Sequence, residues 1–357
     1  MRGEADPHLS GSTLRQIVHT SAAGQQLRIH ISNLYGTQPL RIEDAHIALS
    51  GNGASIVADS DRSIRFHGRT SIVIPPGSTA SSDTVSMNAP ALADLAISFY
   101  LPSQSGAITL HPNAHRTNYI VSGDVSAQAD LPDATHTGSV YFLTNVDIRG
   151  QGTRGAVVTL GASITEGYAA TEGAANRWPD MLARRLAQAG LNIGVLNAGI
   201  SGNRLLVEGA GPDAEDRFER DVLDQSGVRW VIFSDDPIND LGSSRPAPTA
   251  AALIAAMQRL IAKAHAKRIR FLCSTLTPYE GAQYWRAQDE PAREQFNAFV
   301  RGGASGCDGV IDQDAATHDP ARPAWFLPAY DSGDHLHPND AGHKAIADSI
   351  DLSLFSK

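Results

Sequence analysis

From residue 12 to about residue 148 the chain alternates apolar and polar positions with a period of two. The runs are short: Leu27-Arg28-Ile29-His30-Ile31, Ile64-Arg65-Phe66, Ser71-Ile72-Val73-Ile74, Val85 to Met87, Leu95 to Leu101 and Tyr141 to Val146. Turn formers separate them at Asn33-Leu34-Tyr35-Gly36, Gly51-Asn52-Gly53, Pro75-Pro76-Gly77 and Ser122-Gly123-Asp124. Successive side chains on a strand point to opposite faces, so the pattern predicts half-buried strands joined by tight turns, an antiparallel β-sandwich. After Gly150-Gln151-Gly152-Thr153-Arg154-Gly155 the pattern changes. Ala156 to Leu160 is a continuous apolar run, as a strand covered on both faces requires. Strands are also expected at 193–196, 230–233, 269–274 and 309–312. Helices are expected over 178–186, 250–267, 290–301 and 341–352. Alternation of strand and helix predicts an α/β domain with a parallel sheet. The expected domains are 1–150 and 151–357.

The length of 357 residues agrees with two domains rather than one. Apolar residues make up 42% and charged residues 19%, which excludes a largely disordered chain. The net charge is -9 and no dense Lys/Arg run occurs, so neither nucleic acid nor an anionic membrane surface is an expected partner. No apolar stretch reaches the ~18–20 residues that span a bilayer. Cys273 and Cys307 lack metal-site spacing; they could pair once, but two separate buried thiols are expected. The opening MRGEADPHLS has no apolar core, so no secretory leader is expected in it. The compartment stays open: secreted or periplasmic if a leader has been removed, otherwise cytoplasmic. The oligomeric state is also open.

Parallel α/β sheets build their sites beyond the carboxyl ends of the strands. The strand at 156–160 runs into Gly161-Ala162-Ser163-Ile164, where Ser163 suits either a nucleophile or a helix cap. The strand at 193–196 leads to Gly202, which lets a backbone N–H approach a substrate oxygen or simply makes a turn. The strand at 230–233 leads to Asn239, an oxyanion donor or else an Asx turn or helix cap. Near the C-terminus, Asp331-Ser332-Gly333-Asp334-His335-Leu336-His337-Pro338 offers a general base and its carboxylate. Asp334 with His337 fits those roles, and Asp331 and His335 compete for them. A metal reading of the same two His and two Asp is weaker, because no further ligand cluster completes it.

The ordered set serine, glycine, asparagine and Asp-x-x-His resembles the SGNH, or GDSL-type, hydrolases over about residues 155–352. Gly161-Ala162-Ser163-Ile164 matches the first block with Ala in place of Asp. Pro237-Ile238-Asn239-Asp240 matches the third with Pro in place of Gly, and Asp334 to Pro338 matches the last. Asn176-Arg177-Trp178-Pro179, Asn197-Ala198-Gly199 and Thr275-Leu276-Thr277-Pro278 are similar to an acetylxylan-esterase-like branch that also carries an N-terminal β-sandwich. The resemblance implies a flavodoxin-like catalytic domain, a jelly-roll-like accessory domain and a serine esterase acting through an acyl-enzyme without metal or organic cofactor. It implies Ser163, Asp334 and His337 as the catalytic residues. Ser163 N–H, Gly202 and Asn239 are implied as the oxyanion hole.

The implied substrate is a short-chain acyl ester, with O-acetylated carbohydrate the expected biological form. A broad small-acyl esterase or thioesterase, and a non-catalytic carbohydrate-binding descendant, are the alternatives. Asp236, Pro237, Tyr279, Glu280 and Tyr284 are the candidate pocket residues. The Asp235-Asp236-Pro237 loop is expected to shape acyl-side selectivity and to lower activity, since carboxylates near an oxyanion hole oppose the developing charge. Ala162 removes a carboxylate that would anchor the serine turn. No Trp precedes residue 178, so the N-terminal domain is expected to be structural rather than a sugar platform.

Overall fold

The computed structural model describes residues 1–356. The chain divides into two compact units, Met1–Thr153 and the remainder from Arg154.

The N-terminal unit is built of antiparallel strands. One sheet of seven strands is centred on Ser12–His19, Asp94–Leu101 and Leu40–Leu49. A second sheet of four strands contains Gly24–Ser32, Leu143–Arg149, Thr79–Ser81 and Val85–Ala89. Period-2 alternation explains the burial. Leu27, Ile29 and Ile31 face inward while Gln26 and Arg28 are exposed. These side chains share one core with Leu14, Ile42, Ile97 and Phe99 of the larger sheet. The strand expected at 64–66 is displaced: pairing is at Arg62–Ser63, and Phe66 forms only an isolated bridge with Arg69.

The second unit has a parallel sheet of five strands: β1 (Ala156–Gly161), β2 (Gly194–Gly199), β3 (Val228–Phe233), β4 (Arg270–Ser274) and β5 (Gly309–Ile311). Their order is β2-β1-β3-β4-β5, with every pairing parallel. Helices α1 (Ser163–Glu166), α2 (Trp178–Gln188), α3 (Ala214–Phe218), α4 (Asp236–Ser243), α5 (Ala250–Ala266), α6 (Glu290–Arg301), α7 (Gln313–Thr317) and α8 (Asp340–Asp348) follow or precede those strands. This is a doubly wound order, in which the direction of strand addition reverses between β1 and β3 while the strands stay parallel. The reversal opens a crevice at the carboxyl ends of β1 and its neighbours. The core is formed by central strand residues such as Val157, Val231 and Phe271 against helix residues such as Leu182, Leu253 and Phe296. Among the described residues no helix is long and apolar enough to cross a membrane.

Two expectations are corrected. The segment after β3, read as a loop with an Asx turn or helix cap, is the helix α4, with Pro237 in its first turn where a missing N–H costs nothing. Cys273 and Cys307 are joined by a disulfide rather than free. Cys273 lies on β4, and Cys307 lies just before the neighbouring β5. Sheet pairing therefore brings together two thiols that are 34 residues apart in sequence.

Candidate active site

Strand β1 ends in a sharp turn that starts α1 at Ser163. The Ser163 N–H holds the first helical position, where no intrahelical partner exists. The turn is anchored from the neighbouring strand. Buried Asp235, just past β3, accepts the Ile164 N–H at 2.8 Å and the Thr165 hydroxyl at 2.5 Å. Asp235 thus supplies the tether that sequence reasoning found missing at Ala162. Its 70-residue separation from Thr165 hid it.

His337 is carried on the loop before α8. That loop is closed by the Ser332 N–H donating to the His337 carbonyl at 3.0 Å and by a bridge between Asp331 and Pro338. Asn339 caps α8 through the Ala341 and Gly342 N–H groups and donates its amide to the Ala329 and Asp331 carbonyls. So held, His337 Nε2 lies 2.8 Å from Ser163 Oγ, and its Nδ1 lies 2.6 Å from Asp334 Oδ2. Nδ1–H donating to the carboxylate leaves the Nε2 lone pair facing the Ser163 hydroxyl. Asp334 Oδ1 also accepts the His337 and Leu336 N–H groups, each at 2.9 Å. Partial burial raises the Asp334 pKa, but these bonds from His337 and the backbone outweigh it and hold the carboxyl well below its ordinary range. Ser163 and His337 are 8% and 9% exposed, so the pair is shielded yet reachable.

Tyr168 was missed by sequence reasoning. Its ring packs 4.3 Å from the His337 imidazole, in the loop that follows α1. Thr171 and Asn176, further along that loop, bond to Asp340 at the start of α8. A long polar loop carries no periodicity to mark such a contact.

Gly202, with φ +77°, sits in the turn after β2 and is exposed. A side chain at that φ would be strained. Buried Asn239 on α4 donates its amide to the Asn203 carbonyl at 2.9 Å, which ties it to the Gly202 turn. Its amide oxygen accepts the Tyr284 hydroxyl at 3.1 Å, which fixes the amide orientation. Fully buried Arg217 on α3 joins the strand ends. It donates to the Gly161 carbonyl at 3.0 Å, the Ala198 carbonyl at 2.6 Å and Asn203 Oδ1 at 2.9 Å. Asp240 accepts the Leu205 and Leu206 N–H groups and so pins the same turn to α4. Burial raises its pKa to about 6 against the pull of those bonds.

The pocket assignments are corrected in part. Asp236 and Tyr279 are fully buried and Pro237 is buried too, so none of the three lines an open pocket. Asp236 turns toward Arg217, 3.5 Å away, rather than toward the serine. It occupies the first turn of α4. Burial pushes its pKa up to about 7, with Asp235 and Asp240 adding to the rise and Arg217 opposing it. Glu280 is half-buried, and its N–H bonds to the Ala324 carbonyl. Tyr284 is half-buried and reaches Asn239. The competing pair, Asp331 and His335, forms a separate contact at 2.5 Å and does not displace Asp334 and His337. Among the described residues, no group of three or more His, Cys, Asp or Glu is placed to hold a metal ion.

The chain belongs to the GDSL-like lipase/acylhydrolase family, whose model matches residues 159–345. It is an ester hydrolase by class, with the parallel-sheet SGNH hydrolase fold. No curated protein sequence matches the chain. Among solved structures it is similar to a lipolytic protein of the G-D-S-L family from Desulfitobacterium hafniense. That match has 21% identity and a TM-score of 0.43, and covers 54% of this chain and 96% of the other. It is similar to a catalytic mutant of the acetylxylan esterase Axe2 from Geobacillus stearothermophilus, with 21% identity, TM-score 0.43 and coverage of 58% and 96%. A GDSL-like lipase from Bacteroides thetaiotaomicron matches with 18% identity, TM-score 0.43 and coverage of 57% and 89%.

Proposed function

We propose that the protein is a serine esterase that removes short acyl groups, acetyl above all, from hydroxylated substrates of the carbohydrate class. The observation that carries this reading is the chain of contacts Ser163–His337–Asp334, at 2.8 and 2.6 Å, whose serine and histidine are 174 residues apart. Ser163 Oγ attacks the ester carbonyl and passes its proton to His337 Nε2. The carbonyl oxygen takes the negative charge and is met by the N–H groups of Ser163 and Gly202 and by the Asn239 amide. As the carbon–oxygen bond to the alcohol breaks, His337 returns the proton to the leaving alkoxide. Water then attacks the acyl-serine with His337 again as base, releasing carboxylic acid and free Ser163. Asp334 keeps the imidazole in its working tautomer and stabilises the transient imidazolium.

The acetyl-carbohydrate preference is supported by the acetylxylan-esterase-like sequence blocks around Asn176 to Pro179, Asn197 to Gly199 and Thr275 to Pro278. Residues 1–150 fit an accessory β-sandwich of jelly-roll type, and residues 151–357 the catalytic domain. The Cys273–Cys307 disulfide supports an oxidising compartment, secreted or periplasmic. The test is a panel of p-nitrophenyl esters from acetate to octanoate beside acetylated xylan, with acetate release measured. Highest turnover on acetate together with release from xylan supports the reading. Turnover that rises with chain length and spares xylan refutes the substrate class.

A further inference from the structure

A second Asp–His pair lies beside the first, and the proposed reaction does not use it. His335 Nδ1 is 2.5 Å from Asp331 Oδ2, and Asp331 Oδ1 accepts the Gly333 and His335 N–H groups at 2.8 and 3.0 Å. The aspartate side chain is 11% exposed, whereas the imidazole is 40% exposed. With Nδ1–H given to the carboxylate, Nε2 is a lone-pair acceptor, and among the described residues it has no partner. The backbone at His335 has φ +63°, a left-handed conformation that side-chain-bearing residues seldom adopt. Such strain persists where surrounding structure imposes it, and it concentrates at ligand sites.

The surroundings fix this imidazole in place. The Trp325 ring meets it edge to face at 5.2 Å, and the Arg322 guanidinium stacks 4.8 Å over that indole. The loop after β4 closes on both rings. A Cβ at Gly281, where φ is +95°, would lie 2.7 Å from the Trp325 ring and 3.0 Å from His335 Cδ2. Three residues on, the same loop delivers Tyr284 to Asn239. One loop therefore links the Asn239 donor to the His335–Trp325 pair.

Reaction direction says which side of the ester this is. The departing alkoxide must come within hydrogen-bond reach of His337 Nε2 to receive its proton. The leaving oxygen therefore meets His337, and His335 is two residues away on the same loop.

We propose that His335, oriented by Asp331 and backed by Trp325, accepts a hydroxyl of the leaving alcohol and so selects ring polyol esters over simple alkyl or aryl esters. This rests on the esterase reading above and names the residues that read its substrate. A hydroxyl-bearing ring presents an O–H to Nε2 and an apolar face to the indole, whereas an aryl ester offers no such donor.

The test compares kcat/KM for an acetylated xylooligosaccharide with that for p-nitrophenyl acetate in wild type, His335→Ala, His335→Asn and Trp325→Ala. The polyol-to-aryl ratio is expected to fall about tenfold in His335→Ala, the worth of one directed hydrogen bond. It is expected to recover in part in His335→Asn, whose amide oxygen accepts and whose backbone tolerates positive φ. Equal losses on both esters, the outcome of a purely structural role, overturn the proposal. A second arm needs no turnover: calorimetric binding of xylotriose to Ser163→Ala against Ser163→Ala/His335→Ala. About tenfold weaker binding in the double variant supports the subsite, and unchanged binding overturns it. Absence of ester turnover in the wild type would refute the esterase reading while the binding arm still decides the subsite.

Discussion

Replacing Asp236 with Asn changes how stability depends on pH. The Asp236 side chain is fully buried, neither carboxylate oxygen makes a hydrogen bond, and the nearest cation is Arg217 at 3.5 Å. Burial raises its pKa from the ordinary 3.8 to about 7, with Arg217 opposing and Asp235 and Asp240 adding to the rise. A carboxyl whose folded pKa lies above its unfolded value binds its proton more tightly in the fold. Its stabilising contribution is therefore complete below about pH 4 and is lost as pH rises through about 7. At about 1.4 kcal/mol per pH unit, the span from 3.8 to about 7 corresponds to roughly 4 kcal/mol. Asp236→Asn removes that slope because the amide does not titrate. Buried His343 works in the opposite direction: burial lowers its pKa to about 4, so its neutral form favours the fold as pH rises from 4 toward 6.5. Asp240, raised to about 6, acts with Asp236. Both remain in the variant, so the difference between the two proteins reports Asp236 together with its coupling to Asp235 and Asp240. Urea unfolding at half-unit steps from pH 4.5 to 8.5, titration points chosen at roughly the window's two sides, gives that difference. The variant is expected to gain relative to wild type by several kcal/mol across the window. Parallel pH profiles would refute the burial-driven rise assigned to Asp236.

Three further outcomes follow from other parts of the site. Asp334→Asn, which keeps the shape but leaves His337 in the wrong tautomer, should lower kcat on p-nitrophenyl acetate by about 10³–10⁴-fold; a loss under tenfold would contradict the orienting role. In Gly242→Ala, the new Cβ would meet the Tyr284 ring at 2.0 Å and push it from Asn239, so kcat should fall at least about tenfold through the misplaced oxyanion donor; unchanged kinetics would show that Tyr284 does not set the amide. Reduction of the Cys273–Cys307 disulfide, or its replacement by a pair of serines, should lower unfolding free energy by about 4 kcal/mol for a loop of this size. Denaturant unfolding with a thiol titration checks it, two thiols appearing only after reduction.

The chemistry of the site was legible because a parallel sheet delivers it to strand ends, and Ser163, Gly202 and Asn239 stand just past three such ends. The Asp334-x-x-His337 spacing was legible because a short loop holds both groups within one contact. Spacing alone left Asp331 and His335 competing for those places; the likeness to the Asp-x-x-His-Pro block singled out Asp334 and His337, and the closed 331–338 loop holds His337 against Ser163. Asp235, Arg217 and Tyr168 were hidden for one reason: each acts across elements distant in sequence, and nothing local marks an anchor, a clamp or a covering ring. The disulfide escaped for the same reason, since adjacency of β4 and β5 is a property of the sheet. The segment 236–243 was read as a loop, although Asp236 and Pro237 suit the first turn of a helix. Its carboxylates then looked like a threat to the oxyanion hole. Asp235 instead holds the serine turn, and Asp236 turns inward to Arg217.

The central claim is that the Ser163 hydroxyl, activated by His337, carries the acyl group. The most direct measurement is steady-state hydrolysis of p-nitrophenyl acetate by wild type and Ser163→Ala, with peptide mass spectrometry of acid-quenched wild-type enzyme. The account predicts a loss of at least about 10⁴-fold in kcat for the variant and an acetyl group on the peptide containing Ser163. Retained turnover in Ser163→Ala, or acetyl trapped on a different residue, would contradict it.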